Sequence, residues 1–177
     1  MPVTKLEVAN RSQFSNGDSF GDIGPYELVE GTVHFAVDPL HPRNQIITDL
    51  DLAPRDSAGQ VTMSADFSVL KPAELGQGNR RLLFDVVNRG GKTVITGFNS
   101  APAVTDPKAP LEPGNGFLMR HGYTVVWGGW QADLPDIPGL IGLQAPQAVG
   151  PGGPLAGKIL CQFQSDNPGQ TLSLIHI

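Results

Sequence analysis

The sequence has one cysteine, no long apolar run and little charge of either sign. Cys161 stands alone in 177 residues, so no intrachain disulfide can form, and without His or Cys neighbours it makes no metal site. No apolar stretch approaches the ~20 residues that span a bilayer. The opening "MPVTKLEVANRSQF" has no apolar core of the kind a signal peptide needs. A cytoplasmic location is therefore expected. Lysines and arginines number 12, are scattered without a stripe and leave a net charge of −5, which argues against nucleic acid as a partner. No cofactor motif and no metal-ligand cluster stands out, so none is expected.

What the chain has in excess is glycine and proline. The 22 glycines and 16 prolines are about a fifth of the residues, against a usual ~12%. That favours turns and short strands over long helices. Hydrophobic residues at 40% still allow a packed core.

Residues 1–25 read as a polar, turn-rich segment. From Tyr26 the pattern alternates, with Val33, Phe35 and Val37 on one side and Thr32, His34 and Ala36 on the other, as in a strand with one buried face. Residues 46–54 are expected to be extended. The alternation is cleanest over 60–72, where Val61, Met63, Ala65, Phe67 and Val69 share a face. Asp56–Gly59 is turn chemistry between two extended segments and predicts an antiparallel pair.

The period then changes. "RRLLFDVVN" (80–88) is nearly continuous hydrophobe, as in a central strand covered on both faces. After a proline-rich excursion, "GNGFLMRHGY" predicts a short helix over 115–121, with Asn115 at its start and Gly122 past its end. "TVVW" (124–127) is the next strand. Strand, loop, helix and strand make a βαβ unit, which predicts parallel strands at 82–87 and 124–127. Trp127 and Trp130 read as an exposed pair. Beyond them, "IGLQAPQAV" and "KILCQFQS", joined through "GPGGPLAG", predict a hairpin. The expected class is α/β: antiparallel N-terminal strands, a parallel β-α-β unit, and a β-rich excursion at the C-terminus. The expected divisions are 1–25, 26–130, 131–172 and the tail 173–177. One covering helix on an open sheet is half a fold, so the chain is expected to be an amino-terminal fragment.

Two motifs compete for chemistry. "GDSFG" (17–21) satisfies G-x-S-x-G and resembles the opening block of GDSL-type esterases, with Ser19 as nucleophile. Its setting is wrong: no buried strand precedes it, and Gly24-Pro25 follows where a helix should start. "NRGGK" (88–92) is a weaker motif in a better place. In α/β-hydrolases a loop after a sheet strand donates a backbone N–H to the oxyanion hole, and paired glycines let amides face a cleft without a Cβ in the way.

"LLFDVVNRGGK" followed by "GFLMRHGYTVVWGGWQAD" resembles the third strand, first helix and fourth strand of an α/β-hydrolase. With "SFGDIGPYELVEGTVHFAVDPLHPRNQIITDLDLAPRDSAGQV" and "SADFSVLKP", the chain is similar over roughly residues 3–170 to a bacterial family of α/β-hydrolase-domain proteins. Members of that family are much longer. The resemblance implies a serine hydrolase, an esterase or other acyl hydrolase acting on a small ester-like substrate. It places the nucleophile, acid and catalytic His downstream and leaves Arg89, Gly90 and Gly91 as the oxyanion-loop candidates here. His34, His41 and His121 read as structural or exposed. The closing "SLIHI" resembles translated sequencing-adapter read-through. Two other functions compete: a non-enzymatic β-rich binding module, and a GDSL-type esterase using Ser19.

Overall fold

The computed structural model describes residues 3–155 and 157. Its centre is a six-stranded, mostly antiparallel sheet with few helices. The long strands are β1 (Val3–Gln13), β2 (Tyr26–Val37) and β3 (Val61–Pro72), and two shorter ones, β4 (Leu82–Asp85) and β5 (Thr124–Gly128), complete the main path. Their spatial order is β1-β2-β3-β5-β4. β2 pairs antiparallel with both β1 and β3, and β5 pairs antiparallel with β3. β5 slots between β3 and β4 and runs parallel to β4, with Leu83 opposite Val125 and Asp85 opposite Trp127. The sixth strand, β6 (Leu143–Gln144), adds to β3. A separate small hairpin joins β7 (Val149–Gly150) to β8 (Gly153–Pro154).

The core lies on one side of this sheet. Tyr26, Leu70, Val125 and Trp127 pack there against Ile95 of helix α1 (Val94–Asn99) and Leu118 and Met119 of helix α2 (Phe117–Arg120). Tyr26 is the centrepiece. Its hydroxyl lies 3.1 Å from the Met119 carbonyl and 3.0 Å from the Tyr123 carbonyl, so β2 holds the end of α2. Burial pushes its phenol pKa up. Asn99, fully buried, joins the helices: its Oδ1 accepts from Leu118 N–H at 3.0 Å and its Nδ2 donates to the Pro113 carbonyl at 2.9 Å.

The β-α-β expectation holds in its main parts. The two strands are parallel, and the helix starts where the Asn115 side chain accepts from Phe117 N–H at 2.9 Å. It stops at Gly122, whose φ of +71° is open to glycine, and where a Cβ would come within 2.8 Å of the Asn79 nitrogen.

Several expectations are corrected. Residues 1–25 contain an eleven-residue strand. β1 is exposed throughout and carries two register shifts against β2, so its alternation is broken and no burial pattern marks it. The 46–54 segment is not extended: Asp49 turns left-handed, and a 3-10 turn at Leu50–Leu52 buries Leu50 against Val37 and Val61. β3 therefore takes β2 as its antiparallel partner. The strand expected at the sheet's centre lies at its edge, because β5 occupies the inner position. Leu82, Phe84 and Val86 consequently remain 63%, 54% and 64% exposed. Trp127 is not exposed but fully buried; Trp130 alone is exposed. The last hairpin closes tightly within 149–154; its expected second arm at 158–165, like the tail 173–177, lies outside the described residues. Among the described residues no helix is long and apolar enough to cross a membrane.

Candidate active-site loop

The loop that follows β4 begins with an acid in an apolar strand. The Asp85 carboxylate faces the core side and accepts from two donors through one oxygen: the Trp127 indole N–H at 2.8 Å and the Val94 backbone N–H at 3.1 Å. Asp85 thus ties β4 to β5 and to the first residue of α1. The intervening residues 86–93 are anchored at both ends.

Between those anchors, Asn88 to Gly91 form a tight turn, closed by the Gly91 N–H donating to the Asn88 carbonyl at 3.1 Å. Arg89 and Gly90 occupy its corners with φ of +51° and +78°, the pair of positive angles that a type I′ turn requires. Glycine suits Gly90 doubly, since a Cβ there would sit 2.8 Å from Leu134 and 3.0 Å from Leu140. Arginine in the left-handed region is strained, and outside contacts hold it. Its N–H donates to the Gln131 side chain at 2.6 Å, and its guanidinium bonds the Asp133 carboxylate at 2.6 Å and carbonyl at 2.9 Å. Arg89 in turn holds the exposed Asp133 carboxyl below its usual range. The Gly90 carbonyl accepts from Ile141 N–H at 3.1 Å, and Trp130 Nε1 donates to the Val87 carbonyl at 2.5 Å. The segment 130–141 therefore clamps the turn.

Lys92 leaves the turn and reaches back over the sheet. Its ammonium bonds Glu30 Oε1 at 2.9 Å and lies 5.9 Å from the centre of the Trp127 ring. Burial pushes the Glu30 carboxyl up, but hydrogen bonds from Lys92, Ser68 and Asn10 and the Lys92 charge outweigh it and hold Glu30 below the usual carboxylate range.

Beside this loop opens a cavity of about 600 Å³, bordered by Gly91, Lys92 and Thr93, by Thr96 and Gly97 of α1, and by the 103–111 and 139–140 segments. Of the three sequence candidates, two have spent their amides: Arg89 donates to Gln131 and Gly91 to Asn88. Gly90 does not border the cavity. Lys92 and Thr93 border it, and their amides donate to no acceptor among the described residues, as is also true of Ala103, Val104, Thr105, Leu111 and Gly139.

No protein-family model, no curated protein and no solved structure matches the chain. Ser19 lies in an exposed turn between two 3-10 segments. His34 pairs with Glu7 at 2.8 Å, the His41 ring accepts from Arg43 N–H, and the His121 ring lies tilted against Phe117. No hydrogen bond joins Ser19 to any of them. Among the described residues no group of three or more His, Cys, Asp or Glu is placed to hold a metal ion.

Proposed function

We propose that this chain is the amino-terminal part of a serine ester hydrolase of the α/β-hydrolase type, and that it supplies oxyanion-stabilising amides from its 88–93 loop. One observation carries the reading. The loop leaves the carboxyl end of a strand in a parallel pair, and at that end Lys92 and Thr93 border a cavity. Open α/β sheets bind ligands just outside the carboxyl ends of their parallel strands. The sequence resemblance to α/β-hydrolase-domain proteins points the same way.

In this mechanism a downstream serine attacks the ester carbonyl, and negative charge develops on the carbonyl oxygen. The Lys92 and Thr93 N–H groups meet that charge. Each such donor is worth roughly 10²–10³ in rate, because the charge appears only on the way to the tetrahedral intermediate. The Asp85 anchor and the Arg89 clamp keep both amides in place before the reaction, so reorganisation is small. Lys92 is engaged by Glu30 and acts through its backbone.

The test is to express the complete reading frame and treat it with a fluorophosphonate. The reading expects one labelled serine beyond residue 177 and turnover of p-nitrophenyl esters, with the 177-residue chain alone inactive. Absence of a labelled serine in the complete protein would overturn it. A non-enzymatic binding module is the second reading, favoured by the largely antiparallel sheet and its exposed apolar edge. Labelling of Ser19, with loss of turnover in Ser19→Ala, would instead revive the GDSL-type alternative.

A further inference from the structure

One row of side chains crosses the whole sheet on its core side. The register places Asn10 of β1 opposite Glu30 of β2, Glu30 opposite Ser68 of β3, Ser68 opposite Trp127 of β5, and Trp127 opposite Asp85 of β4. Directly paired residues present their side chains on the same face. Asp85 and Glu30 therefore stand three strands apart, about 14 Å at ~4.8 Å per strand. Asp85 holds the Val94 N–H, where the 86–93 loop ends. Lys92, two residues earlier, crosses back over the Trp127 ring to reach Glu30. Both carboxylates of the row thus hold the same loop.

The Glu30 end is built beyond what packing requires. Ser68 is fully buried, and its hydroxyl donates to Glu30 Oε1 at 3.0 Å, the same oxygen that Lys92 reaches at 2.9 Å. Asn10 Nδ2 lies 3.4 Å from the other oxygen. The Lys92 side chain is only 11% exposed. Lysine is rarely buried, and desolvating an ion pair takes back much of its attraction. A pair of apolar side chains would cover Trp127 as well and hold the fold about as firmly. What an apolar pair cannot do is choose a place: a methionine slides over an indole, whereas an ammonium seeks one carboxylate oxygen. The pair therefore serves position more than stability. The residues it positions are Lys92 itself and its neighbours Gly91 and Thr93, all at the cavity's border.

We infer that Glu30 is a positioning residue for the candidate site: oriented by Ser68, it draws Lys92 across the Trp127 ring and so fixes where Gly91, Lys92 and Thr93 meet the cavity. The loop's placement is a property of this chain alone; its consequence for catalysis rests on the ester-hydrolase reading.

The experiment is a double-mutant cycle of Glu30→Gln and Lys92→Met in the 177-residue chain, read by NMR hydrogen exchange at the Gly91 amide, which is bonded to the Asn88 carbonyl. The Tyr123 amide, bonded to the Leu118 carbonyl at the end of α2, is the reference for general loosening. Each single substitution is expected to speed Gly91 exchange roughly tenfold relative to Tyr123. In the Lys92→Met background, Glu30→Gln is expected to change it by less than about twofold, since its effect passes through Lys92. The double variant carries neither charge and keeps both side chains at nearly their original size, which guards against a folding defect. In the complete reading frame, Glu30→Gln is expected to lower kcat for a p-nitrophenyl ester about tenfold and to leave KM within about twofold. Gly91 exchange indifferent to Glu30→Gln, effects that simply add in the double variant, or an unchanged kcat in a protein whose serine is labelled would overturn the inference. Failure of the hydrolase reading looks different: the exchange cycle holds, but no serine is labelled.

Discussion

Replacing Asp85 by alanine removes the acceptor of two donors that belong to the framework of the 88–93 loop. The Trp127 indole N–H is the costlier loss, because the ring is fully buried and water cannot replace the carboxylate. Val94, whose N–H is the second donor, is also a buried residue. A buried donor left without a partner costs about 1–3 kcal/mol. Allowing for relaxation at Val94, Asp85→Ala is expected to cost about 3 kcal/mol. That is a large share of a domain stability of ~5–15 kcal/mol. In a chain of this size about 3 kcal/mol lowers the melting temperature by roughly 6–12 °C. Asp85→Asn keeps one good acceptor and is expected to lose about half as much. The assay is thermal unfolding followed by tryptophan fluorescence, with Asp133→Ala as the control. Asp133 is fully exposed and holds only the Arg89 side chain and turn, so its loss is expected to leave the melting temperature essentially unchanged. If Asp85→Ala melts within about 2 °C of the parent, the loop is not anchored by this carboxylate and the reasoning fails.

Three further outcomes follow from the same structure. Tyr26→Phe leaves the Met119 and Tyr123 carbonyls without their shared donor and is expected to cost about 1–2 kcal/mol in denaturant unfolding; a neutral result would show that water fills the site. Glu30 is held below its ordinary value of 4.5, so its stabilisation is present above that pH and is lost as pH falls through the lowered folded-state value. The melting curves of the parent and Glu30→Gln should therefore converge as pH falls below about 4.5, and a gap that widens on acidification would contradict the assignment. Phe84→Lys places a charge on the exposed edge strand β4 and is expected to reduce concentration-dependent light scattering without lowering the melting temperature; unchanged scattering would mean that this edge drives no association.

The parts of the fold that could be read in advance are those where side-chain pattern and burial coincide. The 60–72 alternation became β3, and the change of period at residue 80 announced the parallel pair. Asn115 and Gly122 marked the short helix because each answers a local backbone need. The parts that could not be read depend on partners distant in sequence. β1 exists because β2 offers it a hydrogen-bonded edge, not because its own side chains are buried. Nothing in "RRLLFDVV" says that β5 will take the inner position, which leaves Phe84 exposed and buries Trp127. The glycine pair of the candidate site was visible from its letters alone. Which amides remain unspent was not, since that depends on Gln131 reaching a residue 42 positions away. The cavity is likewise invisible in sequence: its walls come from four separate segments, and only assembly reveals that Gly97 faces open space.

The central claim is that the Lys92 and Thr93 amides receive the developing negative charge of an ester carbonyl. A structure of the complete protein inactivated by an alkyl phosphonate tests it most directly, because the phosphoryl oxygen stands where that charge develops. The account predicts the phosphorus on a serine beyond residue 177 and its oxygen about 2.7–3.1 Å from the Lys92 and Thr93 nitrogens. A phosphonate held with its oxygen on other donors, and the 92–93 amides left facing solvent, would contradict it.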